Sequence, residues 1–156
     1  MANKLVINFL ACISLMMFPE CLFAKGNIYF RCVSGMNEYL LSEGDSGVVS
    51  YVNLKNGYVN FIYQEDAVRN KFRLSSVPMN GGGQTRIKFS NNGYDYYLYE
   101  ITHHSGEDYV FKEGVAVVKN GKVISNKECE NGDSTVRNVA YDRLTEHEYD
   151  FDVSFE

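Results

Sequence analysis

The 156-residue chain has no tryptophan, two prolines and four cysteines. Its longest apolar run, Leu5 to Phe18, falls short of the ~20 residues that a membrane-spanning helix needs. No CxxC pair occurs, which removes the usual zinc-ribbon and dithiol readings. No G-x-S-x-G elbow occurs either, so the usual presentation of a serine nucleophile is missing. The glycine run Gly81-Gly82-Gly83 is followed by Gln84, Thr85 and Arg86. A phosphate-binding loop would close on Lys-Ser/Thr and open a helix, so a nucleotide cradle is excluded as well.

Excess positive charge is also lacking. Residues 25–141 carry 13 basic and 13 acidic side chains, and residues 142–156, "DRLTEHEYDFDVSFE", carry six acids against one arginine. That tail accounts for the net charge of −5. Phosphate binding needs a positive footprint, so nucleic acid is not an expected partner. The acidic tail instead suits solubility or a basic partner.

The first residues have a recognisable layout. Lys4 precedes the apolar stretch Leu5–Phe18, Pro19 ends it, and the small Ala24 stands before Lys25. This is the pattern of a secretory signal peptide, with cleavage expected after about Ala24. Residues 1–24 are therefore set aside, residues 25–156 are read as one domain, and stable membrane insertion is not expected. Cys12 and Cys21 leave with the leader, so the mature chain keeps Cys32 and Cys129. Two cysteines in an exported protein predict one Cys32–Cys129 disulfide, stabilising by about 4–5 kcal/mol in the chain-entropy picture.

What remains reads as β structure. Strands are predicted over 27–33, 38–42, 47–53, 58–64, 71–77, 85–90, 94–102, 114–120 and 122–128. Reversals at Gly44-Asp45, Asn56-Gly57, Asn92-Gly93 and Asn120-Gly121 separate several of them. Asn-Gly between apolar runs is a strong hairpin signal, because a type I′ turn needs positive φ at both central residues. The fold class is thus mainly β: an antiparallel sandwich or small barrel with a short C-terminal helix and one disulfide. Ser134 is placed to cap that helix, with Val136, Val139, Ala140 and Leu144 at helical intervals. Beyond it, Tyr149, Phe151, Val153 and Phe155 alternate with polar residues, which fits either a final edge strand or a frayed tail.

Catalytic groupings are weak. His103 and His104 are adjacent, and neighbours on a strand face opposite ways, so they do not chelate one ion. Neither Glu65-Asp66 nor Glu107-Asp108 defines a cleft by adjacency alone. No catalytic residue, metal site or cofactor is assigned. Two features do point to binding. The glycines Gly81–Gly83 are either a hairpin connector or a loop that lets a partner approach the backbone, with Arg86 able to donate to a carboxylate. In "YDYYLYEI" both faces of one strand carry rings, Tyr94 and Tyr96 on one and Tyr97 and Tyr99 on the other. Such a strand is either covered on both sides or meets a partner on one.

Three segments together, "IYFRC", "GGGQTRIKFSNNGYDYYLY" and the strand leading to Cys129, resemble the small periplasmic inhibitors of c-type lysozyme. The resemblance implies an exported β-barrel-like domain that plugs an enzyme's catalytic cleft with a surface loop. The wider pattern is similar to exported bacterial immunity proteins, which neutralise antibacterial effectors. The expectation is a periplasmic or secreted inhibitor, not an enzyme, that blocks the active site of a cell-wall hydrolase or effector toxin. Its expected contacts are Gly81, Gly82, Gly83, Gln84, Arg86, Tyr94, Tyr96 and Tyr97, with the acidic tail as a second candidate. The competing expectation is a structural or small-molecule-binding envelope protein.

Overall fold

Short alternating segments punctuated by reversals build two sheets. The computed structural model describes residues 26–65, 71–79, 81–130, 136–146 and 153–155. The expected leader, Cys12, Cys21, Asp66, Ser134, His147 and residues 149–152 lie outside the described residues. The first sheet is a meander of β1 (Ile28–Ser34), β2 (Asn37–Glu43), β3 (Val49–Lys55) and β4 (Tyr58–Gln64), in that spatial order. The second contains β5 (Arg73–Met79), β6 (Gly82–Asn91), β7 (Tyr94–Ser105), β8 (Asp108–Lys119) and β9 (Lys122–Glu128). Helix α1 (Asn138–Arg143) follows, and the two-residue β10 (Thr145–Glu146) then joins the second sheet beside β5. Every described pairing is antiparallel except β10 with β5. The sandwich-like, mainly β architecture agrees with the sequence reading.

The three Asn-Gly reversals fold as expected. Asn56, Asn92 and Asn120 have φ of 52°, 51° and 50°, and each following glycine is also in the left-handed region. Other boundaries move. β6 begins at Gly82, so Gly82 and Gly83 are strand residues and not a loose connector. β8 starts at Asp108, six residues before the predicted 114, because Tyr109 and Phe111 continue the period-two pattern past the acids. The helix is shorter than its apolar spacing suggested: Arg137 is its N-cap with no side-chain capping bond, and Val136 precedes it in the chain. Val153–Phe155 form no strand, which removes the edge-strand alternative for these three residues.

Between the sheets lies an aromatic core. Phe89 is its hub, with the rings of Tyr63, Tyr96, Tyr51 and Phe72 at 4.7, 4.7, 4.8 and 5.2 Å. Around it pack Phe30, Leu41, Val49, Leu74, Ile87, Leu98 and Val115, all buried. Each such side chain contributes about 1.5–3 kcal/mol on burial. Helix α1 adds Ala140 to this core and is tied down by Arg143. That guanidinium donates to Glu43 Oε1 at 2.9 Å, Glu65 Oε1 at 2.7 Å and the Gly47 carbonyl at 3.0 Å. The Cys32–Cys129 disulfide is formed, with Cα atoms 5.2 Å apart. It joins β1 of one sheet to the residue just after β9 of the other.

A second, smaller core covers the opposite face of the second sheet. Tyr97, Tyr99, Ile101, Ala116 and Val118 are buried there under Val153 and Phe155. The two-sided ring pattern of β7 is thereby explained. Tyr96 and Leu98 face the other sheet, while Tyr97 and Tyr99 face the strap formed by Val153–Phe155. Over Tyr96–Tyr99 both sides of that strand are covered.

Candidate functional site

Strand lengths decide what is exposed at one end of the sandwich. β7 and β8 have 12 residues each, whereas each strand of the facing sheet has seven. The β7–β8 hairpin therefore overhangs its neighbour. In the antiparallel register Thr102 faces Phe111, His104 faces Tyr109 and Ser105 faces Asp108. Directly opposed residues share a face, so His104, Tyr109 and Phe111 continue the same side of the sheet as Tyr96 and Leu98, beyond the reach of the first sheet. Tyr109 is 67% exposed and Phe111 46%. The His104 and Tyr109 rings pack with centroids 3.9 Å apart, which holds the ridge together. Gly106, at φ 69°, makes the turn, and Glu107 and Asp108 follow it.

The glycines support this hairpin from the side. A Cβ on Gly81 would collide with the His104 ring, and one on Gly82 with the Thr102 carbonyl oxygen. Their missing side chains thus admit β7, not an external ligand. Gly81 and Gly82 remain exposed at the edge of the ridge.

The expected contact residues do not gather in one patch. With a rise of about 3.4 Å per residue, Tyr94 sits roughly 27 Å along β7 from Thr102, which pairs with Gly83. Tyr94 is held by Lys119, whose Nζ donates to its hydroxyl at 3.0 Å. Gln84, Arg86 and Tyr97 are buried, Arg86 at 4% exposure and Tyr97 at 1%. Arg86 Nη2 donates to the Val153 carbonyl at 2.8 Å, and its guanidinium lies 4.3 Å from the Phe155 ring centroid. The expectation that Arg86 greets a partner's carboxylate is corrected: the side chain is buried and its Nη2 serves the strap. Tyr97 is corrected likewise, as a core residue. Val153 and Phe155 of the acidic tail are buried in the same arrangement.

Tyr96 belongs elsewhere, in a cleft of about 360 Å³ between the sheets at the end away from the ridge. β2, β3 and β4 form one wall of it, and β7, β8 and β9 the other. Among the described residues no three His, Cys, Asp or Glu side chains assemble as metal ligands. The sequence contained a cue for the ridge, the alternation Asp108-Tyr109-Val110-Phe111, but the acids before it read as a turn.

The fold and these two sites define a disulfide-bridged antiparallel β sandwich with an aromatic ridge at one end and a cleft at the other. No protein-family model, curated protein or solved structure matches the chain.

Proposed function

We propose that this protein is an exported binding protein that inserts the β7–β8 ridge into the active-site cleft of a cell-wall hydrolase or antibacterial effector and inhibits it by occlusion. One observation carries the reading: the overhang leaves Tyr109 and Phe111 in solvent on a narrow projecting hairpin. Aromatic anchors of this kind dominate binding energy when they enter a partner's pocket. Glu107 and Asp108 at the turn suit a target with a basic rim, where they speed encounter. The disulfide fits an oxidising compartment. Inhibition needs no covalent step and no cofactor.

The contact set is accordingly His104, Tyr109 and Phe111, with Gly81 and Gly82 beside them. The test is inhibition of purified c-type lysozyme and a panel of peptidoglycan hydrolases by the mature protein. Tyr109→Ser/Phe111→Ser is expected to weaken inhibition by roughly 100-fold or more, as for the loss of a binding hot spot. Both residues are exposed, so the variant keeps its fold. Equal inhibition by wild type and variant, or none by either across the panel, removes the proposal.

A further inference from the structure

We propose that the cleft between the sheets is a second binding site, and that it takes a small hydroxylated ring compound carrying one negative charge. Its volume of about 360 Å³ falls in the range of small-molecule sites. The apolar part is a set of rings. Phe61 and Tyr96 lie nearly parallel, 5.5 Å apart and 11° between planes. Tyr51 leans against both at 6.0 and 6.3 Å. A flat ring, whether aromatic or the apolar face of a sugar, packs on such a surface.

The polar groups choose among ring compounds. Asn53 lines the cleft, and its Oδ1 is buried with no hydrogen-bond partner among the described residues. Buried acceptors are nearly always paired. An asparagine amide turns easily about χ2, so this one can reach a hydroxyl held in the cleft. Asn60 and Ser125 offer further hydrogen bonds along the walls. Among the lining residues Lys127 alone carries a formal charge; the Tyr39, Tyr51 and Tyr96 hydroxyls are neutral at pH 7, and burial pushes them further up. A ligand anion therefore belongs at Lys127, its hydroxyl at Asn53, and its ring between them.

This site is independent of the ridge, which lies at the other end of β7. The experiment titrates the mature protein with glucuronate and with 4-hydroxybenzoate, following the amide shifts of β3, β4 and β9. Neutral glucose and benzyl alcohol serve as controls. At least one anion is expected to saturate and to bind roughly tenfold or more above its neutral counterpart. Lys127→Ala should erase that preference, and Asn53→Leu should weaken binding of the hydroxylated anion by a similar factor. Ser125→Ala gives a milder probe that leaves the core intact, with a severalfold loss expected. The pattern across the two anions separates a sugar acid from an aromatic acid. The ridge variant Tyr109→Ser/Phe111→Ser should bind as wild type. The inference fails if neither anion saturates, or if Lys127→Ala and Ser125→Ala both leave the affinities unchanged.

Discussion

Replacing Phe155 by alanine tests whether the strap is part of the fold. In the structure its ring stacks on Tyr99 at 4.6 Å and 21°, touches Tyr97 at 5.3 Å and lies 4.3 Å from the Arg86 guanidinium. Its carbonyl accepts from Asn126 Nδ2 at 2.9 Å. Truncating a buried phenylalanine costs about 3–5 kcal/mol in a closed core, and the cation–π contact adds about 0.5–2 kcal/mol. The strap lies on one face of a sheet and can shift after truncation, so the lower end applies: about 3 kcal/mol. That is a large part of the roughly 5–15 kcal/mol that holds a domain folded. Urea unfolding followed by far-UV circular dichroism reads the loss as a lower midpoint. Binding of a hydrophobic dye reports the uncovering of Tyr97, Tyr99 and Ile101 under native conditions. Phe155→Leu keeps the burial but not the stacking, and should cost only about 1 kcal/mol. A loss below about 0.5 kcal/mol for Phe155→Ala, with no dye binding, would show that the strap does not cover the sheet.

Three further outcomes follow from the packing. Arg143→Ala strands the nearly buried Glu65 beside Glu43, and with the guanidinium a third exposed the expected loss is about 2–3 kcal/mol in thermal or urea unfolding. Glu43 is held below its ordinary value of 4.5 by the Tyr29 hydroxyl, which donates to it at 2.6 Å, and then by Arg143. A depressed carboxylate contributes stability that is present above 4.5 and lost as pH falls through the folded value. Acid unfolding of Glu43→Gln should therefore have a shallower pH dependence than wild type, and identical curves would refute the role of that carboxylate. Reducing Cys32–Cys129 opens a bridge spanning 97 residues and should lower stability by about 4–5 kcal/mol, read as the difference between urea curves with and without reductant.

Much of the fold was legible because its causes are local. Period-two alternation located the nine long strands, and Asn-Gly pairs located three of their reversals. Counting cysteines outside the expected leader pointed to the bridge. The misreadings share a different origin, since each depended on what lies across space. Arg86 reads as a surface donor until Val153 and Phe155 are placed over it. Gly81 and Gly82 read as a loop until His104 and Thr102 are seen to occupy the volume a Cβ would need. Tyr94 and Tyr97 share a short run of sequence, yet one sits at the strand's start and the other in a buried layer. The ridge was hidden for a related reason. Exposure of Tyr109 and Phe111 arises from a mismatch in length between two sheets, and neither sheet's sequence states the length of the other.

The position of the disulfide also governs how the molecule carries force. A pull applied to the chain on either side of residues 32 and 129 reaches the covalent bridge before it reaches the strands between them. Among the described elements, strands β2 to β9 lie wholly inside that loop, while the start of β1, helix α1, β10 and the strap lie outside it. With about 3.3–3.6 Å per extended residue, the bridge withholds roughly 330 Å of slack. Under tension the oxidised protein yields its helix and strap and then stops, whereas the reduced protein unravels to its full contour length. A thiol reagent thus converts a stiff, short link into a long, compliant one.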